Sequence, residues 1–145
     1  MKKLSLLLLA MIPVLCGKKE PYAPGLGEFM SQARTHHEKI YLAERAGNWP
    51  LVEYEIDELR ETFEGAEEHV SSRPEIRDIK ILYPAIEKLA AVAKERDSKN
   101  FDRDYASLTQ SCNQCHRKEN FGFISIKTPE SNPYSNQNFV SVPVL

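Results

Sequence analysis

Residues 49–70 read WPLVEYEIDELRETFEGAEEHV. Val52, Ile56, Leu59, Phe63, Ala66 and Val70 recur at steps of four and three, which places them in one stripe along an α-helix. Glu53, Glu55, Asp57, Glu58 and Glu61 fill the other positions, so the pattern is that of a helix with one face in a core and the other in water. Pro50 falls in the first turn, where its missing N–H leaves no hydrogen bond unmade. Asn48, just before, is a residue suited to cap the helix. Gly65 weakens the helix without breaking it.

The same spacing extends on both sides. A first segment runs from about Glu28 to Ala46, with Leu26, Ala33 and Ile40 on one face, Phe29 and Met30 beside them, and Gly47 as its stop. After the turn Ser71–Pro74, a third segment runs to about Asp97 with Ile79, Leu82, Ile86, Leu89 and Ala93 in line. Pro84 lies inside it and is expected to kink or split it near Leu82–Tyr83. A fourth begins near Asn100 and carries Phe101, Tyr105, Leu108, Cys112 and Cys115. No strand alternation appears before residue 120. Four such segments joined by short turns predict an all-α fold, an antiparallel four-helix bundle over residues 28–117. Residues 118–145 are rich in Asn, Pro and Ser and predict a mostly irregular C-terminal arm. Within it Phe121–Ile126 (FGFISI) could run extended. An ordered arm is expected, because Phe121, Phe123, Ile124, Tyr134, Phe139 and Val140 are many apolar groups to leave in water.

The chain of 145 residues is the size of one domain, and its first part reads as an address. Residues 1–15 combine a basic start, Met1-Lys2-Lys3, with an apolar run from Leu4 to Leu15. The run is too short to span a bilayer and suits the core of a secretory signal. Residues 16–27, ending PYAPGLG, read as a linker. Cys16 directly follows the run, where a lipoprotein carries its acylated cysteine, although Leu15 stands where that pattern prefers a small residue. The alternative is plain cleavage near Cys16-Gly17 or after Ala23. Removing residues 1–15 takes two of the 19 basic residues and leaves 17 against 21 acidic ones. No basic stripe remains, so nucleic acid is not an expected partner.

The chemistry concentrates in SCNQCH, residues 111–116. On a helix Cys112, Cys115 and His116 stand at i, i+3 and i+4, which is one face. Two thiols at this spacing can each bond to a vinyl group of haem, and the adjacent histidine can reach the iron. A zinc site would need four ligands, and no second Cys or His pair stands at finger spacing. A thioredoxin-like dithiol would need a strand before it, where this sequence offers a helix. Attachment of haem to such a motif takes place outside the bacterial cytoplasm, in agreement with residues 1–15. The expected cofactor is therefore one covalently attached haem c, with Cys112 and Cys115 as thioethers and His116 as the proximal iron ligand.

The other side of the iron is left to the first segment. His37 is the leading candidate for the distal ligand because it lies nearer the centre of the apolar stripe. Met30 and His36 are alternatives, and an open position is a fourth possibility. Each of these residues also has a plain reading, a surface histidine or a core methionine. His69, near the end of the second segment, reads as structural, a cation favoured by the helix dipole.

A helical bundle carrying Cys112-x-x-Cys115-His116 near the end of its last helix resembles the class II cytochromes c, the cytochrome c′ and c-556 type. The resemblance covers about residues 28–117. It implies a haem lying within the bundle, with the first helix facing the open side of the iron. A methionine there implies a six-coordinate electron carrier, and an apolar residue implies a five-coordinate haem that binds NO or CO. Two stretches depart from the class, Asn48-Trp49-Pro50-Leu51 leading into Tyr54-Glu55, and the arm ending Asn132 to Phe139. They look like a set of small exported single-haem cytochromes that also place the motif before an aromatic arm. The arginine that class II places shortly before the first cysteine is absent, since Leu108–Ser111 reads LTQS. The expectation is a monohaem electron carrier, not an enzyme, in the periplasm or at a membrane surface. The alternative is a gas-binding protein, and a peroxidase-like activity ranks last because no distal His/Arg pair can be assigned. Redox partner proteins are the expected partners, met through the acidic second segment. The place of Cys16 leaves a lipid anchor open, and the resemblance leaves open pairing into a homodimer.

Overall fold

A computed structural model of the protein describes residues 22–141. Residues 1–15, read above as a signal, Cys16, read as a candidate cleavage or lipidation site, the linker from there to residue 21, and residues 142–145 lie outside the described residues. The chain folds as α1 (Leu26–Arg45), α2 (Trp49–His69), a 3₁₀ helix (Pro74–Ile81), α3 (Tyr83–Glu95) and α4 (Ser98–Lys118). Among the described residues there is no strand, and no helix is long and apolar enough to cross a membrane.

The turns are set by a few residues. Gly47 takes φ +69°, and its N–H donates to the Glu44 carbonyl at 2.8 Å. That is the left-handed stop glycine permits at least cost. Asn48 then caps α2, its side-chain oxygen accepting from the Leu51 N–H at 3.3 Å. At the other reversal Arg96 itself takes φ +53°. Asp97 accepts from the N–H groups of Lys99 and Asn100 at 3.0 and 3.2 Å, so α4 begins at Ser98, before the expected Asn100.

Side-chain pairs fix the helix directions. Phe29 near the start of α1 meets His69 at the end of α2. Arg60 and Tyr83 join α2 to α3 antiparallel, through Glu87 at 3.1 Å and Glu67 at 2.8 Å. Lys118 at the end of α4 reaches Asp78, ahead of α3, at 2.7 Å. Arg45 at the end of α1 pairs with Asp102 near the start of α4. The bundle therefore runs up, down, up, down. The stripes read from the sequence meet inside it: Ile40, Val52, Ile56, Leu59, Phe63, Ile79, Leu82, Ile86, Leu89, Phe101, Tyr105 and Leu108 are all buried.

The third segment is split where Pro84 predicts a break, with a 3₁₀ helix before Leu82 and α3 starting at Tyr83 with Pro84 in its first turn. Two expectations change. Glu55, read as part of the solvated face of α2, is buried. It receives His36 Nδ1 at 2.7 Å and lies 3.4 Å from Lys39 Nζ, because α1 packs over that side of α2. The arm docks by fewer groups than expected. Phe139 is buried, and Tyr134 packs half-buried with its hydroxyl donating to Glu38 at 2.8 Å. Phe123, Ile124 and Val140 stay exposed. The segment Phe121–Ile126 is irregular, not a strand.

Candidate functional site

At the end of the bundle where α1 begins and α4 ends, the helices line a cavity of about 630 Å³ that opens to solvent. That is the size of a cofactor pocket. Leu59 and Phe63 of α2 and Ile79 and Leu82 beside α3 form its apolar floor, and the arm borders it with Phe121, Ile124 and Ile126. Cys112, Cys115 and His116 all line it, because one turn of α4 turns the i, i+3 and i+4 positions to the same side.

Both thiols are free. Burial, and then the neighbouring Cys115, push the Cys112 thiol up to about 12. Burial followed by the charges of Asp78 and Glu119 also raises Cys115. A redox dithiol needs its attacking sulfur lowered towards neutral pH, and this pair is shifted the opposite way. His116 Nδ1 lies 3.0 Å from the Ile124 carbonyl. A carbonyl only accepts, so Nδ1 carries the hydrogen, and in the neutral ring Nε2 keeps its lone pair. The Ile124 carbonyl belongs to the arm as it doubles back over the last turn of α4. Asn113 holds that return, its side chain donating to the Ile126 carbonyl and accepting from the Ile126 N–H, both at 2.8 Å.

The facing wall comes from α1, with Met30, Ala33, Arg34 and His37. His37 is only 2% exposed. Its Nε2 lies 2.8 Å from the Thr109 hydroxyl and its Nδ1 3.0 Å from the Tyr105 hydroxyl, which also reaches the His37 carbonyl at 3.0 Å. The His37 and Tyr105 rings stack with centroids 4.6 Å apart. Burial lowers the His37 imidazole to about 4, so it is neutral at ordinary pH. Met30 is partly buried and packs against the core from the cavity side. His36 turns to Glu55 and is not on the cavity wall. His69 is also elsewhere, its Nδ1 within 2.9 Å of the Gly65 carbonyl. Of the residues predicted for the site, the structure thus brings Cys112, Cys115, His116, His37 and Met30 together and leaves His36 outside.

Two guanidinium groups stand at the rim. Arg34 pairs with Glu38 at 2.8 Å and Arg73 with Glu75 at 2.7 Å. The wall is therefore apolar within, carries Arg34, Arg73, Glu75 and Glu119 as its charged residues, and is fitted with two thiols and one imidazole nitrogen free of hydrogen bonds. This donor set, two thiols and an imidazole on an apolar wall, would fit a flat apolar macrocycle bearing two vinyl groups. It does not fit a zinc ion held by protein alone: among the described residues, no three His, Cys, Asp or Glu side chains converge on a point. Sequence reasoning missed Tyr105 and Thr109 as partners of His37, Asn113 and the Ile124 carbonyl behind His116, and the rim arginines. Only Asn113 was signposted, as a spacer within the motif.

No family model matches the chain, and no curated protein or solved structure matches it either.

Proposed function

We propose that this chain is an exported, single-haem c-type cytochrome that carries electrons, similar to the class II cytochromes c or to the small single-haem proteins with an aromatic arm. The observation that carries the reading is the presence of Cys112, Cys115 and His116 together on the wall of one apolar cavity of about 630 Å³. When bound, the haem supplies a one-electron iron couple. Cys112 and Cys115 would hold it by thioether bonds, each thiol adding across one vinyl group. Their raised pKa disfavours the thiolate that disulfide exchange would use. His116 would ligate iron through Nε2. Leu59, Phe63, Ile79 and Leu82 would keep water from the macrocycle, and Arg34 and Arg73 are the cations nearest to hand for its carboxylates. In this reading the protein transfers electrons and turns over no substrate. Export rests on residues 1–15, with Cys16 as the candidate lipid anchor, and the partners are redox proteins.

The second reading is a gas-binding haem with an open distal position. One observation favours it: both ring nitrogens of His37, the leading distal candidate, are already engaged by Thr109 and Tyr105. Met30 is then the soft ligand left on the α1 wall. Expression in a bacterial periplasm with the haem-attachment machinery tests both readings. The expected product is one haem heavier than the processed chain by mass spectrometry, and Cys112→Ala with Cys115→Ala abolishes the increment. A protein that matures at the mass of the bare chain overturns the proposal. Immediate binding of carbon monoxide by the reduced protein selects the gas-binding reading.

A further inference from the structure

We propose that Asn113 is a positioning residue for His116, acting through the backbone of the C-terminal arm. This deepens the cytochrome reading and rests on it for the role of His116. Asn113 is the first spacer of Cys112-Asn113-Gln114-Cys115-His116, a position that the attachment chemistry leaves free. Its side chain nevertheless makes a reciprocal pair with one residue, donating to the Ile126 carbonyl and accepting from the Ile126 N–H, both at 2.8 Å. Only a side-chain amide offers a donor and an acceptor in the geometry that pairs both backbone groups of one residue.

The pair closes a short return of the chain. The Phe121 N–H donates to the His116 carbonyl at 2.7 Å, and the Ile124 N–H to the Phe121 carbonyl at 2.8 Å. The chain is thus fixed at Phe121 on one side of Ile124 and at Ile126 on the other. Between these points the Ile124 carbonyl meets His116 Nδ1 at 3.0 Å. Ile124 is 44% exposed at the cavity edge, so burial of its own side chain holds it only in part. The clamp by Asn113 supplies the rest. The consequence is a single imidazole tautomer, with hydrogen on Nδ1 and the lone pair on Nε2, and a fixed ring plane. An imidazole that donates from Nδ1 is also a more basic ligand, which favours the more positive state of the iron.

The test compares the haem-loaded wild type with Asn113→Ala and with Gln114→Ala, the exposed neighbouring spacer. In Asn113→Ala the reduction potential rises, and the His116 Nδ1 proton, followed by NMR, exchanges with solvent about thirtyfold faster, as the loss of two net hydrogen bonds implies. Gln114→Ala changes neither. Unchanged potential and exchange in a haem-loaded Asn113→Ala protein overturn the proposal, as does an equal effect from Gln114→Ala. If Asn113→Ala does not fold, Asn113→Asp keeps the acceptor for the Ile126 N–H and loses the donor, and the exchange rate is read on it. A chain that matures without haem refutes the cytochrome reading alone. The ¹⁵N shifts of His116 in that chain still test the clamp, since wild type holds the Nδ1–H tautomer and Asn113→Ala mixes in the Nε2–H form. A mixture already present in wild type overturns it.

Discussion

His37 shows how burial and partners decide what a histidine is. Its position near the stripe of α1, and with it its inward direction, is readable from the sequence. Its partners are not: Tyr105 and Thr109 lie about seventy residues away and reach it only through packing of α4 on α1. The neutral ring is satisfied at both nitrogens, and burial takes its folded value from 6.5 down to about 4. The unfolded chain therefore binds more protons between those values, so stability from His37 is complete above about pH 6.5 and is lost as pH falls towards 4. The shift corresponds to about 3 kcal/mol. Urea unfolding of the cofactor-free chain from pH 7 to 4.5 should show this decline over and above that of His37→Asn, whose profile is flatter. Parallel profiles would show that the imidazole is not held neutral.

At the scale of elements, the helices follow from spacing and the breaks from a few residues. Gly47, Asn48 and Pro84 announce three boundaries in the sequence, and the structure has a boundary at each. The 3₁₀ helix is less readable, because Ile76, Ile79 and Leu82 suit either helical period. Glu55 misleads for a different reason. Its place among acidic residues on α2 says nothing of Lys39 and His36, which α1 brings over it. Asn48 does two jobs, capping α2 and donating to the Phe139 carbonyl of the arm at 2.9 Å. Asn48→Ala should cost about 1–2 kcal/mol in thermal or denaturant unfolding, as for other lost caps. Asn48→Asp, which keeps the capping oxygen and loses the donor to the arm, should cost less. Equal losses would place the whole effect in the arm contact.

For the whole molecule, the sequence predicts the bundle but not where it opens. A stripe identifies the face that leaves water, not whether another helix or a ligand covers it. Cys112 lies on the stripe with Phe101, Tyr105 and Leu108. Those three are buried against protein, while Cys112 is on the cavity wall. The cavity forms because the last turns of α4 and the first turns of α1 are separated by Leu59, Phe63, Ile79 and Leu82 without closing on each other. The arm is legible only as a composition, and its use, a carbonyl placed on His116 and Phe139 sealed against the bundle, depends on where it folds back. The central claim is that the open end of this bundle holds one thioether-bound haem that takes and gives single electrons. The absorption spectrum of the purified protein, oxidised and then reduced, and repeated after extraction with acidified organic solvent, tests it most directly. The account predicts a haem spectrum that changes reversibly with oxidation state and stays with the polypeptide after extraction. A colourless protein, or a chromophore that leaves with the solvent, would contradict it.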